Sequence, residues 1–359
     1  EYKFTPEFSG KVNLGYDTSD SENTSTLNAN LQNFTGIEGI GFGTYNTLDR
    51  DNKTLEATLN YTKQFDNSNL DALVGYAYQD FRTQGRNSAG RGFGTTDLNG
   101  MGEDLRSTVN AAQSVIDGSF QQFYYGTNTG NLVVNRLFPT VVSGEVVDGG
   151  FNKRVQAITA DIFDNTDELQ SFFGRVNYSI AGKYLFTGTM RADGSSRFGP
   201  ENQYGYFPSG AFAWQMGEED FIGESISTLK LRLSAGITGN QDGLGYGNFV
   251  ARQRFAGLGI NNDASVNQNG LSIVATDVPD LKWESTVNYN IGLDFGFNND
   301  RLNGSIDVYQ STTRDLLLQT PPAAPSTQPF QFGNVDAEIV NQGIEFAISY
   351  DFAQSEDFN

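Results

Sequence analysis

The sequence predicts an all-β protein, a portion of a transmembrane antiparallel β-barrel with about eleven strands, short turns at one end and long loops at the other. Apolar and polar side chains alternate along many runs, as they do along a strand whose two faces meet different surroundings. Short and long connections between these runs also alternate along the chain. Aromatic residues make up 13% of the 359 residues and glycine is abundant at 41, a composition typical of strands and turns.

The run from Trp283 to Phe297 shows the alternation most clearly. Its apolar face, interrupted only by Ser285, carries Trp283, Val287, Tyr289, Ile291, Leu293, Phe295 and Phe297. Its other face carries Glu284, Thr286, Asn288, Asn290, Gly292, Asp294 and Gly296. At about 3.3 Å per residue the run is roughly 50 Å long, far longer than an average strand. We expect its apolar side chains to face lipid and its polar side chains to face an aqueous interior.

The other predicted strands follow the same period-two pattern. In chain order, all of them lie at 2–8, 11–17, 55–65, 70–78, 172–180, 184–193, 212–216, 229–238, 283–297, 302–308 and 344–352. Short turns are expected at 9–10, 66–69, 181–182, 218–227 and 298–300, and longer links at 18–53, 82–167, 197–203, 241–280 and 319–342. In an up-and-down meander, this order places the tight turns at one end of the sheet and most long loops at the other. Outer-membrane barrels have this asymmetry, with short periplasmic turns and long extracellular loops.

Two of the long links have local features of their own. Within the first, a short helix is predicted over Glu103–Asp117, because apolar residues recur there at spacings of three and four at Leu105, Val109, Ala112 and Ile116. Within the second, Pro321, Pro322, Pro325 and Pro329 predict that 319–330 is extended and non-helical.

Composition excludes several classes of function. The chain has no cysteine and no histidine, which excludes thiol catalysis, Ser-His-Asp catalysis and the usual zinc sites. The net charge of −20 repels nucleic acid, and no basic stripe reverses it. No segment approaches the ~18 consecutive apolar residues that a transmembrane helix needs. We therefore expect neither an enzyme nor a resident cofactor.

Two sets of residues are candidates for binding. Oxygen ligands at Asp161, Asp164 and Asp167 are a weak option for calcium, but their spacing does not match an EF-hand and a solvated acidic loop is the plainer interpretation. Aromatic residues in the long links are candidates for stacking on a substrate or contacting a partner, or else for packing within their own loops; they are Tyr124, Tyr125, Phe249 and Phe330.

Several longer motifs resemble a known family. The run Arg191–Pro200, followed by Tyr204–Ser209, resembles a signature of SusC/RagA-type TonB-dependent transporters, which are outer-membrane proteins of Bacteroidetes. Further stretches similar to that family follow in the same order, at Leu229–Gln241, Pro279–Glu284 and Asn341–Glu345. The hairpin around Leu59–Tyr61 and Gly75–Gln79 also resembles the family, so the resemblance covers nearly the whole chain.

The resemblance implies a barrel of about 22 strands in a Gram-negative outer membrane, of which residues 1–359 are expected to be a partial barrel domain. The family's plug domain and final strands are not recognisable in this stretch. The resemblance also implies a TonB complex as energy source, a SusD-like surface lipoprotein as partner, and import of a bulky oligosaccharide or peptide. An alternative is a structural or adhesin-like outer-membrane barrel within a larger envelope assembly.

On this interpretation the polar strand faces line the barrel interior. The residues expected to face the lumen are Arg191, Asp193, Lys230, Arg232, Glu284, Asn288, Asn290 and Asp294. A charge on the lipid face near the middle of the bilayer costs about 2–4 kcal/mol, so the two faces are not interchangeable.

Overall fold

The computed structural model describes residues 1–28, 41–112, 121–126, 155–223, 225–260, 266–275, 277–322 and 330–352. These residues form one α-helix, α1 (Leu98–Ala112), and sixteen strands. The strands are β1 (Tyr2–Lys3), β2 (Phe8–Leu27), β3 (Phe42–Gln64), β4 (Ser68–Phe93), β5 (Gln121–Gly126), β6 (Val155–Ile180), β7 (Tyr184–Ser195), β8 (Tyr204–Gln215), β9 (Ile226–Asn240), β10 (Arg252–Ile260), β11 (Val266–Ala275), β12 (Glu284–Phe297), β13 (Leu302–Arg314), β14 (Leu316–Thr320), β15 (Gln331–Val335) and β16 (Ile339–Tyr350).

Most of these strands belong to one antiparallel sheet. Its order is β1-β2-β3-β4-β6-β7-β8-β9-β12-β13-β16, with β5 added beside β6. The pairs β10–β11 and β14–β15 are separate hairpins inserted between consecutive strands of the sheet. The predicted all-β meander is therefore confirmed. In the described part of the chain, no helix is long and apolar enough to cross a membrane.

Agreement with the predicted strands is closest for β12 and poorest near the N-terminus. β12 begins at Glu284 and ends at Phe297, within one residue of the predicted run. The turn expected at 9–10 is wrong, because β2 runs through it without interruption and the chain reverses at residues 4–7. That turn is held by the Thr5 hydroxyl oxygen, which accepts hydrogen bonds from the Glu7 and Phe8 amides.

The links expected at 18–53 and 82–167 are much shorter than predicted. β2, β3, β4 and β6 continue in unbroken register through residues 18–27, 42–53, 79–93 and 155–168, and we call these four segments the strand extension. Both faces of the extension are largely polar, so the sequence lacks the alternation that reveals the other strands. Backbone hydrogen bonding nevertheless persists, because the sheet ladder does not depend on which side chains flank it.

Helix α1 covers one face of this extension. The predicted helix is confirmed over residues 103–112, and its remaining residues, 113–117, lie outside the described part of the chain. It begins at Leu98 rather than Glu103, since the Asp97 carboxylate accepts a 2.7 Å hydrogen bond from the Gly100 amide at the helix start. Met101, Leu105 and Val109 are fully buried beneath the helix. Their approach requires glycine in the sheet, because a Cβ added at Gly90 would lie 2.6 Å from a methyl carbon of Leu105.

The sheet has an apolar face and a polar face. A row of mutually paired apolar residues crosses six neighbouring strands, at Phe186, Phe212, Leu233, Ile291, Val308 and Ile344. Within the part of the chain that the structure describes, no layer covers their side chains, and Ile291 and Ile344 are 56% and 74% exposed. We call the side that bears this row the apolar face and the opposite side, which bears Arg232 and Asn290, the polar face.

The apolar face is a band with defined margins. On β4 it comprises Leu70, Ala72, Val74, Tyr76 and Tyr78, after which Asp80 and Arg82 begin the strand extension. At this upper margin the hydroxyls of Tyr16 and Tyr78 donate 2.8 Å hydrogen bonds to the carboxylates of Asp51 and Glu168. Tyrosines with an apolar ring and an anchored polar tip are typical of a boundary between lipid and water.

A compact cluster closes the loop end of the sheet. Phe198, Leu244, Leu281 and Leu317 are buried together, with Trp283 packed against Phe198 at 4.8 Å between ring centroids. The Trp283 indole nitrogen donates a 3.0 Å hydrogen bond to the carbonyl of Gln203. Loops that are far apart in sequence are thereby fixed to one another above the strands.

Candidate functional site

The polar face is organised around charged side chains that link neighbouring strands. Arg232 on β9 donates three hydrogen bonds from its Nε and Nη2 atoms to the carboxylate of Asp294 on β12, at 2.8–3.1 Å. Its Nη2 atom also contacts Asp307 on β13 at 3.0 Å. One guanidinium therefore joins three consecutive strands with charge-assisted hydrogen bonds.

A glycine makes room for this arrangement. Gly292 is the register partner of both Arg232 and Asp307. A Cβ added there would lie 2.5 Å from the Asp307 carboxylate and 2.6 Å from the guanidinium carbon. Gly292 therefore leaves the space that the neighbouring charged side chains occupy, which is a structural reason for a glycine in a strand.

A second charged group lies on β7. The Nε atom of Arg191 donates to Asp193 at 2.7 Å, and its Nη2 atom donates to the Ser171 hydroxyl at 2.9 Å. Asp193 and Ser171 are almost fully buried, with 8% and 2% exposed. Because Asp193 neutralises the positive charge of Arg191, the pair presents little net charge to a ligand.

A cleft of about 530 Å³ brings half of the predicted lumen-facing residues together. Arg191 and Asp193 line one side of it, and Asn288 and Asn290 line the other. Its floor consists of small residues on β8 and β9, namely Ser209, Ala211, Ser234 and Gly236. The structure therefore places these four predicted residues around one shallow cleft on the polar face.

The remaining predicted residues lie on the same face but outside the cleft. Arg232 and Asp294 belong to the three-strand group, and Lys230 is the register partner of Asp294. Glu284 has a structural role at the loop end, since its carboxylate accepts hydrogen bonds from the Asn240 amide group at 3.0 Å and the Leu317 backbone at 3.1 Å.

The loop aromatics do not form one site. Phe249 packs against the buried cluster at the loop end, whereas Phe330 is 53% exposed. Tyr124 and Tyr125 lie in strand β5 rather than in a loop, and their side chains lie outside the described part of the structure.

The calcium option is not supported by the strand geometry. Asp164 and Asp167 lie in β6, not in a loop, and their positions three apart put them on opposite faces. Asp164 pairs with Arg82 and Asp167 with Arg197. The side chain of Asp161 lies outside the described residues, among which no group of three or more acidic, cysteine or histidine side chains could hold a metal ion.

A group at the tight-turn end was not predicted. Glu219 follows a short 3₁₀ turn (Met216–Glu218) and accepts hydrogen bonds from Lys183 at 2.9 Å, Tyr184 at 2.8 Å and Trp214 at 3.0 Å. These three donors, with Lys183 foremost, lower the pKa of the Glu219 carboxyl to about 2. Tyr184 and Trp214 lie at the lower margin of the apolar face, so the carboxylate anchors two aromatic residues at this margin.

The chain is similar in sequence to a known protein family and to several of its members. The family model described as "TonB dependent receptor-like, beta-barrel" matches residues 2–359. The chain is 32% identical over 363 residues to TonB-dependent receptor P3 of Formosa agariphila, covering 99% of this chain and 30% of that protein. It is 40% identical over 197 residues to TonB-dependent receptor SusC of Bacteroides thetaiotaomicron, covering 53% of this chain and 19% of that protein.

A solved structure of the RagAB peptide transporter has a similar fold. The TM-score is 0.68 at 22% identity, and the match covers 98% of this chain and 33% of that one. The chain therefore spans about a third or less of the length of these relatives.

Proposed function

Because the chain belongs to the TonB-dependent receptor-like β-barrel family, we propose that the whole protein imports a bulky nutrient across the outer membrane in a TonB-dependent manner. The family comprises transport receptors, which confirms the expectation that the protein is not an enzyme. We further propose an oligosaccharide or a peptide as the cargo and a SusD-like surface lipoprotein as the partner. The peptide option draws on the similarity in fold to the RagAB peptide transporter.

The single observation that carries this proposal is the division of one long sheet into two chemically different faces. In the described part of the structure nothing covers the band of apolar side chains, and an exposed apolar patch of this extent supports contact with membrane lipid. The opposite face carries charges satisfied within the sheet and a cleft bordered by asparagines and an ion pair. A wall of this kind suits a wide aqueous passage in which cargo contacts polar groups weakly and repeatedly.

The test is uptake by cells in which the full-length gene is deleted and then restored. Cells with the gene should take up or grow on a neutral oligosaccharide or peptide from a defined panel, and deletion should abolish this. Removing TonB should have the same effect as removing the gene, because transport depends on energy coupling. Unchanged uptake of every compound after deletion would contradict transport and favour the structural or adhesin-like alternative.

The partner is tested separately. A SusD-like lipoprotein should co-purify with the full-length protein from detergent-solubilised outer membranes. Recovery of the barrel without any such lipoprotein, at undiminished transport activity, would show that the partner proposal is wrong while leaving transport intact.

A further inference from the structure

A groove of about 700 Å³ opens on the apolar face where β1, β2, β3 and β4 lie side by side. Its floor is the backbone of three neighbouring strands, at residues 10–12, 57–59 and 74–76. Gly10 and Ala57 keep the floor low, because on this face they carry only a hydrogen atom and a methyl group. Lys11 and Thr58 also line the groove, but their positions alternate toward the polar face.

Aromatic rings form the two walls of the groove. On one side Phe4 lies over Gly10, where an added Cβ would be 3.0 Å from its ring, and Tyr2 packs edge-on against Phe4 at 5.1 Å between ring centroids. On the other side Tyr76 packs against Phe172 at 5.0 Å. The remaining lining residues are Glu1, Val12, Leu59, Val74 and Gly75. A flexible apolar chain lying here contacts protein on the floor and on both walls.

Nothing in the described structure covers this groove. Val12 and Val74 are 63% and 58% exposed, and they face the same way as the rest of the apolar band. Contacts between apolar atoms are weak one by one, but they add up along a chain that touches several surfaces. A band that faces lipid is surrounded by hydrocarbon chains, so the medium itself supplies an acyl chain as the occupant.

A pair of opposite charges lies beyond the groove on the same face. Lys63 shares that face with Leu59 and Tyr61, because it follows them at steps of two along β3. Its Nζ atom donates a 3.3 Å hydrogen bond to Oε1 of Glu7, in the turn between β1 and β2. Both side chains are 39% accessible, so each charge is open to a further partner at the edge of the band.

The separation of the groove from this pair fits the length of a phospholipid. Lys63 is four residues from Leu59, which is about 13 Å along the strand. One hydrocarbon leaflet is roughly 15 Å thick, so an acyl chain in the groove and a headgroup at the pair belong to one molecule of ordinary dimensions. The pair lies at the tight-turn end, which faces the periplasm in barrels of this kind and therefore borders the inner leaflet.

The pair also selects the headgroup. Lys63 attracts a phosphate, and Glu7 attracts an ammonium group. A headgroup with only negative charge would gain the attraction of Lys63 but meet the repulsion of Glu7. We propose that the groove holds one acyl chain of a zwitterionic ethanolamine phospholipid, whose phosphate contacts Lys63 and whose ammonium group contacts Glu7. This site goes beyond the proposed function, because it requires the band to face lipid but involves neither cargo nor TonB.

The test is native mass spectrometry of the full-length protein, purified from outer membranes in a mild detergent, stripped of lipid and then titrated. Palmitoyl-oleoyl phosphatidylethanolamine is the probe, and phosphatidylglycerol with the same acyl chains is the anionic comparison. The wild type should hold one phosphatidylethanolamine more tightly than the lipids that contact the rest of the band, and more tightly than phosphatidylglycerol. A structure of the complex locates the bound lipid.

Two kinds of variant separate the groove from the charged pair. Ala57→Phe fills the groove yet stays apolar, so it should assemble normally and lose the tightly held lipid. Ala235→Phe makes the same substitution on the apolar face of β9, outside the groove, and should retain it. If Ala57→Phe fails to assemble, Ala57→Leu tests the same space. Glu7→Gln removes the partner of the ammonium group and should reduce the preference for phosphatidylethanolamine about two- to fivefold, the value of one exposed charge pair.

Three results would overturn the assignment. They are a tightly held lipid that persists in both Ala57 variants, equal affinities of the wild type for the two phospholipids, and a structure in which a second copy of the chain, another segment of the full-length protein or detergent alone fills the groove. None of these results changes the outcome of the uptake experiment, so failure of this site and failure of transport are distinguishable.

Discussion

The apolar band and the strand extension are two parts of the same continuous strands, yet they are stabilised in different ways. In the band, one face of β4 carries a row of apolar and tyrosine side chains from Leu70 to Tyr78 that no other described element covers. The stability of this face therefore depends on the surrounding medium. In the extension, the same face is charged or covered by helix α1, with an ion pair between Arg82 and Asp164. The change occurs within two residues, between Tyr78 and Asp80.

This difference shows what the alternating pattern measures. An alternation of apolar and polar residues indicates that the two faces of a strand meet different environments. Its absence does not mean that no strand is present. Where both faces meet water, the strand continues without the pattern. A variant in one region can therefore be compared with a matched variant in the other.

The largest expected effect concerns the helix that covers the extension. Leu105→Ala removes a fully buried side chain from the interface with Gly43 and Gly90 and should destabilise the docking of α1 by about 2–5 kcal/mol. Hydrogen exchange of α1 and of the extension should accelerate while the band remains protected. Glu103→Ala, on the exposed side of α1, is the control and should change neither. Equal exchange in both variants would show that α1 does not depend on this contact.

The next largest effect is expected when a positive charge is introduced into the band, compared with the same charge in the extension. Leu293→Arg introduces a cation between the apolar partners Leu231 and Ile306 and should cost about 2–4 kcal/mol if this face meets lipid. The full-length variant should accumulate poorly in outer membranes, as measured by its folded, heat-modifiable fraction. Gln84→Arg lies on the same face in the extension, beside Asp49 and Asp164, and should assemble normally. Asn290→Arg, on the polar face of the band, should also be tolerated.

Similar yields of Leu293→Arg and Gln84→Arg would contradict the assignment of the band to lipid. Reduced assembly of Asn290→Arg alone would mean that the two faces have been assigned in reverse. Together the three variants test the position of the band and its direction with one measurement.

The sequence predicted β12 and the face of Arg232 because both follow from local alternation. It could not predict the partners of Arg232, since Asp294 and Asp307 are 62 and 75 residues away and become neighbours only through strand register. The ion pair between Asp167 and Arg197 was missed for the same reason. The family resemblance of Gly239–Gln241 and Pro279–Glu284 indicated that the loop end is important. It did not predict that Trp283 and Phe198 pack against each other there.

A smaller effect is expected when an ion pair is removed, and its size should differ between the two regions. Arg232→Met leaves Asp294 and Asp307 without their shared cation and should destabilise the sheet by about 1.5–3 kcal/mol. Arg82→Met breaks one exposed pair in the extension, where side chains are 45% and 43% accessible, and should cost at most about 1 kcal/mol. Urea unfolding of the full-length protein in lipid vesicles measures both. Equal losses would mean that the three-strand arrangement adds nothing beyond a surface pair.

The smallest effect lies at the other margin of the band, where Glu219 anchors Lys183, Tyr184 and Trp214. Its pKa is lowered from 4.5 to about 2, so the ionised carboxylate stabilises this turn at every pH above 4.5, and the contribution is lost as the pH falls toward 2. Hydrogen exchange at Met216–Glu218 should therefore be constant from neutral pH to about 4.5, after correction for intrinsic rates, and increase below it. Glu219→Gln should remove this dependence, whereas Glu218→Gln, at an exposed neighbouring position, should retain it. The middle of β8, Ser209–Phe212, carries no titratable side chain, so its exchange should stay unchanged, and a parallel increase there would show that acid unfolds the whole sheet rather than this margin.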